Sequence, residues 1–395
     1  LESAQDYSSQ GYEMEIQKVE VKQRAIEAHQ AIEERVNSLV RGYDRLMGRV
    51  GLGGRKGYYD DELYEFEGGA KDELRMKHYD KSLRLLWKAQ DHAAWSSFRD
   101  SSGNTPLHDM AEQSLNEDEK TERKRINSKE YRDFLNNQYT QEQRQAIVNI
   151  LSLIGHGEAY AWLVSTELLN EVRSTGARAA STMQVLEEAK HFVVLRELLQ
   201  AFECPIPRLS AWEYVLLERG FKSKGLEKFF AMNVMVEGFA LNIFGLMSSL
   251  PGLEILKLFH LDESRHCALP ANYFAEFPMS SWEKFSPFRR LSRLLLLAPG
   301  LPVFIAIEKD LAVLGIDSLQ FGGSACRKIL NLADRVGFKF PMSIGRLSRL
   351  FNFVFNSWAN YSREDHKWQD YMRSETTRIQ QQREVEKRVF EMKIN

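Results

Sequence analysis

Two quintets constrain this chain more than any other feature: EEAKH at 187–191 and DESRH at 262–266. Each places an acid, a Glu, one variable residue, a base and a His inside a segment otherwise rich in Leu, Val, Phe and Ile. Glu188 and His191, like Glu263 and His266, stand three residues apart, so on a helix both side chains of a pair emerge from one face and can bind one metal ion together. Of the nine histidines, only these two have Glu three residues before them. Nine histidines give about one such spacing by accident, so the argument rests on where the copies fall.

They fall on alternate long helices. Four segments, about 141–174, 177–203, 225–250 and 252–277, have a helical period and are apolar around most of their circumference, the mark of helices buried on several sides. Ser174-Thr-Gly176, Cys204-Pro-Ile-Pro207 and Pro251-Gly252 punctuate them, and a shorter segment, about 209–222, forms the crossover between the second and third. The first and third each carry one acid in mid-helix: Glu158 in LIGHGEAYAWL and Glu237 in NVMVEGFALNI. A buried carboxylate without a partner neutralises or destabilises the fold, so four of them gathered together need cations. Helical rise puts Glu158 and Glu188 at similar depth below the first hairpin turn, and Glu237 and Glu263 below the second. Glu167, only 21 residues before Glu188, is the competing acid on the first helix and would sit nearer the turn.

Two carboxylate-rich sites with one imidazole each suit two iron ions, or manganese, better than zinc. Two helical hairpins joined by one longer connection, with a Glu from each of two helices and Glu-x-x-His from the other two, is the arrangement of ferritin-like di-iron carboxylate proteins. Read in order as Glu158, Glu188 with His191, Glu237, and Glu263 with His266, the sequence resembles that superfamily over about 141–277. The doubled acid-Glu-x-base-His form looks most like the bacterial di-iron monooxygenases and the arylamine N-oxygenases. The resemblance implies that Glu187 and Asp262 accept the outer N–H of the imidazoles, with Lys190 and Arg265 balancing the acids. It departs at Phe259, where the N-oxygenases carry an extra His ligand. His260, next to it, shares a face with Glu263 and is either a further ligand or a His hydrogen-bonded near the site; His156 has the same two readings.

The expected fold is therefore all-α: a ferritin-like four-helix bundle at 141–277, an N-terminal helical extension with a polar loop at 1–140, and a C-terminal helical extension at 278–395. The expected activity is that of a di-iron oxygenase or oxidase that uses O2 on an apolar small molecule by hydroxylation, desaturation or N-oxygenation. Iron/iron is the expected centre, with manganese/iron as its variant. Trp162, Phe192, Phe230, Phe244 and Phe259 lie within one or two turns of the ligands and could line a dry chamber. No flavin or nicotinamide signature appears, so a ferredoxin or reductase would supply electrons. Tyr160 raises the alternative of a radical-generating subunit. A non-catalytic metal-binding protein for storage, sensing or structure is the other class.

The rest of the chain adds bounds. Fifty-three Lys and Arg against 55 Asp and Glu give no global reason to expect nucleic acid. Cys204, Cys267 and Cys326 lie far apart, which suggests neither a disulfide framework nor a thiolate site and makes a reducing, cytoplasmic setting the expectation. LESAQDYSSQ reads as neither signal nor transit peptide, and no run reaches the roughly 18 unbroken apolar residues of a spanning helix. Helical patterns cover about 12–50 and 71–99, and GLGGRKG at 51–57 reads as a helix stop, not a phosphate cradle. RLSRL occurs at 290–294 and again at 346–350, in segments that could touch a membrane surface or pack on the bundle with arginines at the rim. The charged tail from Ser362 reads as a solvated helix. A homodimer is compatible with all of this.

Overall fold

The computed structural model describes residues 18–49, 129–169, 175–273 and 286–373, and among them every regular element is a helix. The helical patterns expected at 71–99 and the glycine stretch at 51–57 lie outside these residues. In chain order the helices are α1 (Gln23–Arg49), α2 (Lys129–Gln138), α3 (Gln141–Leu168), α4 (Thr175–Ala201), α5 (Ala211–Lys222), α6 (Leu226–Met247), α7 (Leu256–Tyr273), α8 (Pro287–Leu297), α9 (Gly300–Ala306), α10 (Glu308–Val313), α11 (Ser318–Val336) and α12 (Ile344–Ser362). Of the first pattern, expected from about residue 12, residues before 18 lie outside the described ones, 18–22 are irregular and the helix runs from Gln23.

Helix starts follow local chemistry. Thr140 caps α3 by accepting from Gln143 N while the Gln143 side chain accepts from Thr140 N, and Ser210 with Glu213 does the same for α5. α3 and α4 pack along their length as one hairpin, α6 and α7 as another, with α5 in the crossover between them. The turn of the second hairpin is gripped from outside. Tyr131 donates to Gly252 O, Tyr139 donates to Pro251 O at 2.6 Å, and Gly252, at φ +83°, lies so close to α2 that a Cβ there would stand 2.9 Å from Phe134.

α6 is not a uniform α-helix, because Phe230–Val236 is π-helical and ends where Glu237 begins. Such segments favour functional sites because they re-aim side chains without breaking the helix. α3 and α6 are long and apolar enough to cross a membrane by length and composition, but in this fold both are mostly buried against neighbouring helices.

Two apolar cores result. One gathers the first half of α3, the end of α4, the end of α6 and the start of α7; the other gathers the second half of α3, the start of α6, and α11 and α12. Glu158, Glu188, Glu237 and Glu263 lie between the two.

The flanking helices pack on this body. Val19 N donates to Ala312 O at 2.9 Å and Lys22 N to Ser362 O at 3.1 Å, tying the lead into α1 to the C-terminal helices. The two RLSRL copies are placed in opposite phase: Leu291 is exposed and Arg293 buried, whereas Leu347 is buried and Arg349 exposed. The arginines are thus not all at the rim. Arg293 pairs with buried Glu227 at 2.6 and 2.9 Å and donates to Lys339 O, which holds α8 to the start of α6. Beyond Ser362 the expected solvated helix is absent from the described residues. Residues 363–373 are irregular, and Tyr371 and Met372 are buried.

Candidate metal centre

The six residues singled out by spacing come together although they arise on four helices. Glu158, Glu188, His191 and Glu263 form one group, and Glu188, Glu237, Glu263 and His266 a second; within each, one ligand atom per residue lies within 4.8 Å of all the others. Glu188 and Glu263 belong to both. None of the six is more than 3% exposed.

The arrangement has near two-fold symmetry. His191 Nδ1 faces Glu263 Oε1 at 3.0 Å, Glu158 Oε2 at 3.2 Å and Glu188 Oε2 at 3.7 Å. His266 Nδ1 faces Glu188 Oε1 and Glu263 Oε2 at 3.1 Å and Glu237 Oε1 at 3.6 Å. Each shared carboxylate therefore turns one oxygen to each imidazole. The ring centroids of the two histidines are 6.1 Å apart.

Around this lies a crosswise set of acceptors. His191 Nε2, on α4, meets Asp262 of α7 at 3.0 Å, and His266 Nε2, on α7, meets Glu187 of α4 at 2.9 Å. The Arg265 guanidinium donates to both acids, at 2.9 Å to Glu187, and closes the layer. Lys190 makes a weaker contribution, through its charge at Asp262.

Electrostatics tests whether these donors fit metal. Burial pushes Glu158 and Glu237 well above the ordinary carboxylate range, and the charges of Glu263 on the first and of Glu188 and Glu263 on the second add to it. Burial acts the same way on Glu188, but His266 and His191 outweigh it and hold that carboxyl well below. Burial would lower both imidazoles. Hydrogen bonds from His191 to Asp262 and Glu158, and the charges of Glu188 and Glu263 beside His266, raise them well above their ordinary value instead. These directions are those of a crowded set of buried acids short of positive charge, which cations would supply. Glu188 Oε2 and Glu263 Oε1 are buried and, apart from the ion pairs with His191 Nδ1, make no hydrogen bond, as expected of oxygens shaped to coordinate. The residues present fit a pair of divalent ions.

Other candidates lie elsewhere. Glu167 pairs with Lys228 outside both groups. His260 is turned toward α6, its Nδ1 2.8 Å from Leu241 O, and belongs to neither group. Of its two readings, a His hydrogen-bonded near the site is the one this contact matches. His156 pairs with Glu213 at 3.3 Å. Tyr160, two residues and so about 200° around the helix from Glu158, packs against Gly220 and Phe221 of α5. Of the expected aromatic lining, Phe259 and Phe244 stand over His191 with centroids at 4.4 and 6.3 Å. Trp162 is instead 37% exposed, Phe192 is partly exposed against the core near the end of α4, and Phe230 packs on Phe338 and Phe340.

Three residues escaped sequence reasoning. Gln184 Nε2 donates to Glu188 at 3.1 Å and to Glu237 at 2.7 Å, while its oxygen accepts from Asn233 Nδ2, which also donates to His266 O. Both amides stand one turn before a ligand, and a polar residue four before each Glu was the signal available. Phe239 borders an opening beside Glu158 and Glu237, and nothing local marks it. Comparison with protein-family models, with curated proteins and with solved structures gives no match.

Proposed function

We propose that α3, α4, α6 and α7 form a ferritin-like four-helix bundle holding two iron ions, and that the protein is an oxygenase or oxidase acting on an apolar small molecule. The observation that carries this reading is the sharing of Glu188 and Glu263 between two ligand groups that each contain one imidazole. Glu158 and His191 would complete one ion's ligands, Glu237 and His266 the other's. Four carboxylates carry the charge that two divalent cations neutralise, and a manganese–iron pair suits the same donors. When bound, two ferrous ions supply the reduction of dioxygen to a species able to attack a strong bond.

The chain's own residues do the positioning. Asp262 and Glu187 orient the imidazoles. Gln184 restrains Glu188 and Glu237 from the side of α4. Phe244 and Phe259 keep water from the His191 side. On the other side, Leu153, Val236, Phe239 and Val303 border an apolar opening that reaches Glu158 and Glu237, which is where an apolar substrate would approach. Electrons would come from a separate ferredoxin or reductase.

Burial of all six ligands favours one other reading, a structural metal pair that staples the helices. Anaerobic ferrous loading followed by exposure to air separates the two. A transient visible absorption with O2 uptake above the metal content is the expected result; two tightly held ions with no spectral change and no O2 uptake would leave the structural reading in place.

A further inference from the structure

The opening beside Glu158 and Glu237 adjoins a second apolar space. Its walls include Leu153, Gly157, Leu216, Val236, Phe239 and Val303, around about 450 Å³ of empty space that is partly open to solvent. A second space of about 520 Å³, also partly open to solvent, lies where α5 and α6 meet α8, α9, α11 and α12, bordered by Leu297, Gly300, Leu301, Cys326, Ile329 and Phe351 among others. Leu216, Phe239 and Val303 border both spaces. The two chambers therefore share one wall, where Phe239 stands edge-on to Phe304 with centroids 5.0 Å apart.

Two further features accord with space at these positions. Val236 and Phe239 are partly exposed in a helix whose other described residues near the ligands are buried, and both face the first chamber. Gly157, next to Glu158, and Gly300, in the far chamber, would each carry a Cβ into open space, with nothing within 4 Å. The far chamber is apolar on every side; Met235 and Phe239 of α6 line it together with residues of α8, α9, α11 and α12, and none of the six candidate ligands borders it.

We infer that the two chambers form one passage for an unbranched alkyl or acyl chain, one end of which lies beside Glu158 and Glu237 and the other among α8, α9, α11 and α12. A compact arene would fill one chamber and leave the other unused. A chain gains from both, since each buried methylene contributes independently of the rest. The inference rests on the metal centre being the reacting end, but its test requires neither metal nor oxygen, so the two readings fail separately.

The test is calorimetric titration of the full-length protein with a series of linear 1-alkanols, from hexanol upward. Affinity is expected to rise about fourfold for each added methylene and to level off where the chain fills the passage. Gly157→Leu fills the near chamber, Gly300→Leu the far one, and Val303→Trp blocks the passage between them. Cβ atoms at both glycines enter open space, so these two variants are expected to keep the parent melting temperature. All three should level off at a shorter chain than the parent. The proposal is overturned if affinity does not depend on chain length, if the three variants follow the parent profile, or if Gly157→Leu alone shortens it, which would confine the ligand to one chamber.

Discussion

Glu188 and Glu263 carry more of the proposed centre than the other four ligands, because each presents one oxygen to each imidazole and so belongs to both groups. Replacing a ligand that serves one ion removes that ion's donor, whereas replacing a shared one removes a donor from both. Glu158→Gln and Glu237→Gln are each expected to retain one metal ion of two, and Glu188→Gln and Glu263→Gln to retain neither, as read by elemental analysis of the purified variants. A different residue gives the pH dependence. Burial pushes Asp310 up to about 6 from an ordinary value of 3.8, even though Asn149 donates to it at 2.9 Å. Between those two values the folded chain holds a proton that the unfolded chain has lost, so stability falls as pH rises through the window and the loss is complete above about 6. Asp310→Asn removes that slope. It should melt at a higher temperature than the parent at neutral pH and at the same temperature near pH 3.8, in thermal scans followed by circular dichroism.

Among the elements, α6 and α11 show how close packing sets what a sequence pattern cannot. The π-helical stretch Phe230–Val236 brings Asn233 onto Gln184 and the His266 carbonyl just ahead of Glu237, so the amide network depends on the local winding of α6. In α11, Gly323 lies against the irregular segment 363–373; a Cβ there would stand 2.1 Å from the Tyr371 carbonyl oxygen. Because that neighbour is backbone, it cannot swing aside as a side chain would. Gly323→Ala should cost about 1–3 kcal/mol and expose Tyr371, seen as a lower denaturation midpoint together with a rise in tyrosine accessibility. α8 is inverted relative to an ordinary surface helix. Its exposed large residues, Phe288, Leu291 and Leu295, are apolar, while Arg293 points inward to Glu227.

For the molecule as a whole, the acidic layer lies between two apolar cores and has to be neutralised wherever the helices meet. Ions bound only by the folded chain stabilise it by mass action, about 2.7 kcal/mol when free metal exceeds its dissociation constant a hundredfold. Chelation should therefore lower the melting temperature by several degrees, and adding ferrous or manganous ion back should restore it in proportion to the logarithm of its concentration. The six clustered acids and imidazoles were legible because each signal is local: a spacing of three on a helix, or one acid in an apolar run, needs no knowledge of distant residues. The all-helical class was legible for the same reason, since periodicity is a property of neighbours. The ring of His260 turned to Leu241, the crosswise pairing of Asp262 with His191 and Glu187 with His266, the shared wall at Phe239 and the buried Tyr371 all depend on contacts between segments far apart in the chain. Short-range pattern by itself determined which residues would be buried with charge and on which helices. Only the packing of those helices decided how the charges are shared, which imidazole each outer acid holds, and where space is left beside them, because those depend on the angle and depth at which helices meet and not on the order of residues within any one of them.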